Sequence, residues 1–478
     1  MTGDLAQVVE ALGRRPIPVL ASTEDALRRL RRDPERVSAR DISRIVLRDP
    51  LMTLEVLRFA EARRGPRQSA DITTVEHAVM MHGIESFMTH FRQLQTLEQT
   101  LAEIPQSLRG ALHVVSRSQH AAAYARAIAK QRHDIETDEV IIGALLHDLA
   151  ELMLWFHAPE DALHAQCLIN EIPGVRSAQA QRLVFGFTHG ELQLALARTW
   201  NLPSLLVRLM DDDHADHPRV INVSLAAALA RHTTHGWHDA ALPDDYALIE
   251  KMLNFTPDGA YRLVRNASLS AARQWQDTGV RPVAAWLPME EGRVLEEFAV
   301  LPAPKGTSSP LFRTAMGRVQ KAGTDIDAET LVAATLFALH YGMGFERVSF
   351  AEPVQGGDAL RVRYCIQSHG GRERDFTGYR MSLSGRDLLS RLQGRMQGVW
   401  GGGPNHEKLA ALLLPELRIC VCRGERFRMS RREPYRSLGV LVASRGGGAG
   451  AIPEAMYPPF KSACMVLAQK LARRRGHG

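Results

Sequence analysis

The stretch VIIGALLHDLAELM, Val140 to Met153, constrains this chain more than any other. Val140, Ile141, Ile142, Leu145, Leu146, Leu149, Leu152 and Met153 cover almost the whole circumference of a helix. A helix that is apolar all round belongs at the centre of a fold. Thr137-Asp138-Glu139 opens it, with acids in the first turn where the helix dipole favours them. In its middle sit His147 and Asp148. Burying that pair is costly unless each side chain is hydrogen-bonded, ion-paired or bound to a metal. The segment therefore predicts a helical core with a polar centre.

The residues around it read as short helices joined by tight turns. Ser38-Ala-Arg-Asp41 is an N-cap with an acid in the first turn. The helix ISRIVL stops before Asp49-Pro50, and Asp49 can cap the next helix with Pro50 at its first position. That helix turns Leu51, Leu54, Leu57 and Phe59 inward. Thr73-Thr-Val-Glu76 is a capping box, and the helix it opens ends near Gly83. SRSQHAAAYARAIAK is rich in alanine, which lets a neighbouring helix approach closely.

The pattern changes at LPAPKGTSSP, residues 301–310, where Pro, Gly and Ser mark a linker. Beyond it the periods mix. LVAATLFALHYG is helical, whereas ALRVRYCIQ alternates, with Leu360, Val362, Tyr364 and Ile366 on one side and Arg361 and Arg363 on the other. FTGYRMSL, ELRICVC, RFRMS and SLGVLVAS read as strands, GRDLLSRLQGRM as a helix among them. A final helix carries Met456, Phe460, Cys464, Leu467 and Leu471 on one stripe. Helices and strands in this order predict an α+β domain on an antiparallel sheet. The aromatics Phe350, Tyr364, Tyr379 and Trp400 are expected in its core, with a ligand pocket the alternative.

Composition removes several classes of function. The apolar fraction of 45% and charged fraction of 23% are those of an ordinary globular protein. No uninterrupted apolar run reaches the ~18 residues a membrane span needs. The five cysteines include no CxxC pair. The formal charge is +6, yet only seven of the 59 basic residues are lysine, a bias better explained by coding composition than by nucleic-acid binding. Basic clusters are short and interleaved with acids, and no nucleic-acid module is present. With neither a signal-peptide pattern nor a span, the expected location is cytoplasmic. P-loop, GxGxxG and Ser-His-Asp patterns are missing.

The stretches RDPLMTLEVLRFA, ITTVEHAVMMHGIESF, SQHAAAYARAIA, GALLHDLAELML, THGELQLALARTWNLP and VINVSLAAALA occur in that order. Together they resemble an HDOD domain, the bacterial signalling relative of HD-type metal phosphohydrolases. The resemblance implies an all-α HDOD domain over residues 15–235 and a helical extension with linker over 236–300. Residues 301–478 resemble a GAF-like sensor domain in element order only.

HD-type hydrolases hold metal with a His, a His-Asp dyad and a distant Asp. Carried onto this chain, the resemblance makes His120 the first ligand and His147–Asp148 the dyad. The distant Asp falls at Ala227, whose methyl group cannot bind metal. His189 and His214 stand where the dinuclear branch has further histidines, but the GYP element of that branch is missing. The metal candidates are thus His120, His147, Asp148, His189 and His214, an incomplete set, and no catalytic residue is assigned. The expectation is a polar network without a cofactor, a residual transition metal being the alternative. It follows that the chain is expected to be a non-catalytic signal-transduction scaffold. Its HDOD domain would bind a protein partner, and its GAF-like domain would sense a small ligand or form a homodimer. The alternative is a metal-dependent phosphohydrolase or cyclic-dinucleotide phosphodiesterase with degenerate ligands.

Overall fold

A computed structural model describes the chain except residues 1–3, 64–71, 135–136, 173, 212–216, 238, 276–279, 281, 285–308, 355–358, 368–377, 383–398, 401–416, 423–438, 445–453 and 476–478. The chain divides into two compact units. The first comprises Met1–Leu163 and Gly186–Phe298, the second His164–Phe185 and Ala299–Gly478.

The regular elements of the first unit are all helices among its described residues, apart from one isolated β-bridge between Val19 and Thr96. It opens with α1 (Leu5–Gly13) and α2 (Ala21–Leu30). Ser38 and Asp41 then form a full capping box at the start of α3 (Ala39–Val46). Asp49 caps α4 (Pro50–Ala62), accepting from the backbone N–H groups of Leu51 and Met52, with Pro50 at the first position. Leu51, Leu54, Leu57 and Phe59 are all buried, as their spacing predicts. The cap of α5 (Val75–His82) lies one residue later than expected. Thr74 accepts from the His77 N–H, while the Thr73 hydroxyl donates to the buried carboxylate of Glu139 at 2.7 Å. Gly83 ends α5 with a φ of +82°, and α6 (Ile84–His90) follows at once. The short α7 (Leu97–Thr100) leads to the longest helix, α8 (Pro105–Gln131).

The apolar Val140–Met153 segment is not one helix. It is α9 (Thr137–Leu146) and α10 (Leu149–His157), separated by a turn at His147–Asp148. The amide of His147 bonds back only three residues, to Ala144, at 3.4 Å. Such a break leaves backbone groups without helical partners, which must be satisfied otherwise. Gln193 does this. Its side-chain amide donates to the Leu146 carbonyl at 2.7 Å, and its side-chain oxygen accepts from the Ala150 N–H at 2.8 Å. The span Thr137–His157 is the one stretch among the described residues with the length and hydropathy to cross a membrane. It is interrupted at the dyad and mostly buried in the helical unit.

The chain continues through α11 (Pro159–Glu171), α12 (Ser177–Phe185), α13 (His189–Thr199), α14 (Ser204–Leu209) and α15 (Pro218–His232). Two further helices, α16 (Leu242–Leu253) and α17 (Pro257–Gln274), belong to the same unit, α17 packing directly on α8. The hub is α8, which also packs on α9, α10 and α15. Gly110 of α8 lets the Trp155 ring of α10 lie against the backbone, since a Cβ there would sit 2.5 Å from ring carbons. Trp155 is 2% exposed, so the ring has nowhere to retreat. Gly110→Ala is expected to cost about 1–3 kcal/mol by overpacking. Urea unfolding followed by tryptophan fluorescence checks this, and an unchanged midpoint would refute it.

The second unit is α+β. Ser309 caps α18 (Pro310–Lys321) and Asp327 caps α19 (Ala328–Phe337), which runs into a π-helical turn at Ala338–Gly342. The strands are β1 (Arg347–Pro353), β2 (Ala359–Gln367), β3 (Arg380–Ser382), β4 (Val399–Trp400), β5 (Leu417–Cys422) and β6 (Gly439–Ser444). They form one antiparallel sheet in the order β3-β2-β1-β6-β5-β4. The alternation along β2 is as expected, Leu360, Val362, Tyr364 and Ile366 buried and Arg361 and Arg363 exposed. The last helix, α20 (Tyr457–Arg475), buries Phe460, Cys464 and Leu467 and packs against α18, α19 and β5. The expected strand RFRMS, the helix GRDLLSRLQGRM and nearly all of the 301–310 linker lie outside the described residues.

Candidate functional site

The turn between α9 and α10 places two carboxylates side by side. Asp148 ends the turn, and Glu151 follows three residues later on the first turn of α10, hence on the same face. Opposite them α8 presents Arg117. Its Nε donates to Asp148 Oδ2 at 2.5 Å and its Nη2 to Glu151 Oε2 at 2.6 Å. One guanidinium thus bridges two carboxylates, which its forked donors suit. His147 lies on the free side of Asp148, Nδ1 at 3.2 Å from Oδ1. Arg231 from α15 approaches the same oxygen at 3.8 Å. His189 opens α13 behind the Thr188–Glu191 capping box, and its Nδ1 lies 3.7 Å from Glu151 Oε2.

The charges shift one another in step. Burial pushes the Asp148 carboxyl up, but the Arg117 charge, the His147 hydrogen bond and Arg231 outweigh it and hold Asp148 well below the usual carboxylate range. Burial acts likewise on Glu151, where Arg117 and His189 prevail and bring it down to about 2. The Arg117 guanidinium loses from burial and gains more from the two carboxylates, so its pKa is raised. Both carboxylates are therefore ionised at any physiological pH.

His120 stands apart. It is 1% exposed, and its Nδ1 donates to the Ser116 carbonyl one turn back at 2.8 Å. Its buried Nε2 has no hydrogen-bond partner among the described residues. Burial lowers its pKa to about 4, so the ring is neutral. Of the five ligand candidates, then, His147, Asp148 and His189 share one network, and His120 is directed elsewhere. His214 lies outside the described residues, as does its neighbour Asp213. Ala227 is buried on α15. Among the described residues, no three of His, Cys, Asp and Glu converge as metal ligands.

Sequence reasoning missed Arg117, Glu151 and Gln193. Arg117 and Glu151 carried a signal in their spacing, one three residues before His120 and the other three after Asp148. Gln193 carried none, because its role exists only where α9 breaks. In the second unit Phe350 is core at 1% exposure, whereas Tyr379 is 37% exposed. Tyr364 borders an open cleft of about 510 Å³ with Arg176, Arg361, Arg363, Asp327 and Glu329.

Residues 17–216 match the family model of the HDOD domain. The matched residues lie in the first unit except for His164–Phe185, which belong to the second. Among solved structures, the MmoQ response regulator of Methylococcus capsulatus is 21% identical, with 53% of this chain and 99% of that chain covered and a TM-score of 0.42. A virulence factor of Campylobacter jejuni is 18% identical, covering 57% of this chain and 100% of its own at a TM-score of 0.43. The GAF domain of an Acinetobacter phosphoenolpyruvate-protein phosphotransferase is 14% identical and covers 35% of this chain and 94% of its own, at a TM-score of 0.27. Among curated proteins, none matches the chain.

Proposed function

We propose that this chain is a non-catalytic signalling scaffold, with the HDOD unit engaging a protein partner and the α+β unit sensing a small ligand or forming a homodimer. One observation carries the reading: the Arg117 guanidinium bridges Asp148 and Glu151. In a metal hydrolase the dyad carboxylate gives its lone pairs to a cation that activates water. Here an internal cation takes those lone pairs. It fixes both carboxylates, offers no open coordination position and has no Lewis acidity. Ala227 at the place of the distant Asp removes a further anionic ligand. This donor set does not fit a hydrolytic metal centre.

Elemental analysis of purified, untagged protein tests this, together with thermal melts with and without a chelator. No stoichiometric transition metal and an unchanged melt are expected. A full equivalent of metal with a chelator-sensitive melt would overturn the reading and return the chain to the phosphohydrolases.

A further inference from the structure

A second site lies on the first unit, built from the C-terminal halves of α8 and α17. Residues of both helices line a cleft of about 370 Å³, together with Leu47 and Arg48. Ala122, Ala123 and Ala127 of α8 and Ala267 and Ala271 of α17 line it, and their small side chains leave room between the helices. Arg48, Arg126 and Lys130 also line it. No Asp or Glu does. None of the three cations has a carboxylate within ion-pair distance among the described residues, although exposed arginines elsewhere on this unit do pair, as Arg14 does with Glu10 and Arg262 with Asp258. Arg126 and Lys130 are four residues apart on one helix face, where like charges repel. Arg48 adds a third charge from another element.

Uncompensated cations lining one cleft are what an anion with several oxygens requires, because charge-assisted hydrogen bonds to phosphate come from Arg and Lys. The volume falls in the range of small-molecule sites. No aromatic ring lines the cleft to stack a base, whereas Gln131, Asn266, Ser270 and Gln274 supply neutral donors and acceptors suited to hydroxyl groups. The geometry points to a binding site for a small phosphorylated, hydroxyl-bearing metabolite, its phosphate held by Arg48, Arg126 and Lys130. The site is separate from the Arg117 network, and the inference does not depend on whether that network excludes metal.

Isothermal titration of the full-length protein with ribose 5-phosphate, glycerol 3-phosphate, inorganic phosphate and unphosphorylated ribose tests it. At least one sugar or glycerol phosphate is expected to bind saturably and more tightly than inorganic phosphate, with no binding of ribose. The double variant Arg126→Gln/Lys130→Gln should weaken binding by about tenfold or more. Ser270→Glu, which places a carboxylate in the cleft, should abolish it. Arg14→Gln, a charge removed at a distance, should leave it unchanged. All four positions are at the surface, and thermal melts without ligand should match the wild type. The proposal is overturned if no organic phosphate binds, if inorganic phosphate binds as tightly, or if affinity survives both cleft variants. Binding of a short single-stranded RNA through these residues, with none of the small phosphates bound, would also overturn it.

Discussion

Arg117→Met is expected to destabilise the protein by about 3–5 kcal/mol, because it leaves two mostly buried carboxylates without their counter-charge. The loss should be read in urea at neutral pH. Arg117→Lys should recover only part of it, since an ammonium cannot reproduce the fork that reaches both Asp148 and Glu151. Adding Asp148→Asn and Glu151→Gln to Arg117→Met should restore stability, as the penalty comes from the unpaired charges and not from the missing stem. The pH dependence gives a second signature. Glu151 is depressed to about 2 in the fold, so its contribution is complete above its unfolded value of 4.5 and is lost as the pH falls toward 2. Without Arg117, burial is opposed only by His147 and Arg231 at Asp148 and by His189 at Glu151, so both carboxylates rise. Their protonated forms then favour the fold, and the deficit of the variant should shrink as the pH drops from 7. A deficit constant with pH would mean that Arg117 acts through packing and not through charge.

The sequence reached the class of each unit because the two units obey different periodicities. The caps at Ser38 and Asp49, the Gly83 stop and the alternation along β2 are local signals, carried by residues adjacent in sequence. What was not legible depends on distant partners. The apolar run Val140–Met153 satisfies the period of one helix, and nothing local announces the turn at its dyad. The break becomes tenable only when Gln193, more than forty residues on, takes up the freed Leu146 carbonyl and Ala150 amide. In the same way, a list of His and Asp residues suggests metal, while the residue that neutralises the carboxylates is an arginine on a separate helix. Charge balance in a core is a three-dimensional property. The Thr73–Glu76 box failed for a related reason, as Thr73 is drawn to the buried Glu139, which also needs Arg219 at 2.9 Å.

Acid should loosen this unit at pH values where carboxylates are still ionised. His120 and His113 are 1% and 8% exposed, and burial lowers both to about 4, with repulsion from Arg117 and Arg109 adding to the effect at His113. His157 is shifted in the same direction, also to about 4. For a base depressed in the fold, the unfolded chain takes up protons first. Stability is therefore complete above 6.5 and is lost as the pH falls through 4. His120 and His113 together should contribute a slope of about 3 kcal/mol per pH unit within that window. Asp49 opposes them. Burial raises its carboxyl to about 6 against the bonds it accepts from Leu20, Met52, Thr23 and Leu51. Its contribution is present below 3.8 and lost as the pH rises through 6, so on acidification it returns stability while the histidines remove it. Two variants separate these terms with opposite signs. His120→Gln should flatten the dependence of urea midpoint on pH between 6.5 and 4 by about one proton, whereas Asp49→Asn should steepen it by about one. If His120→Gln leaves the slope unchanged, His120 is not held neutral by burial, and its unpartnered Nε2 must be sought by a donor or an ion.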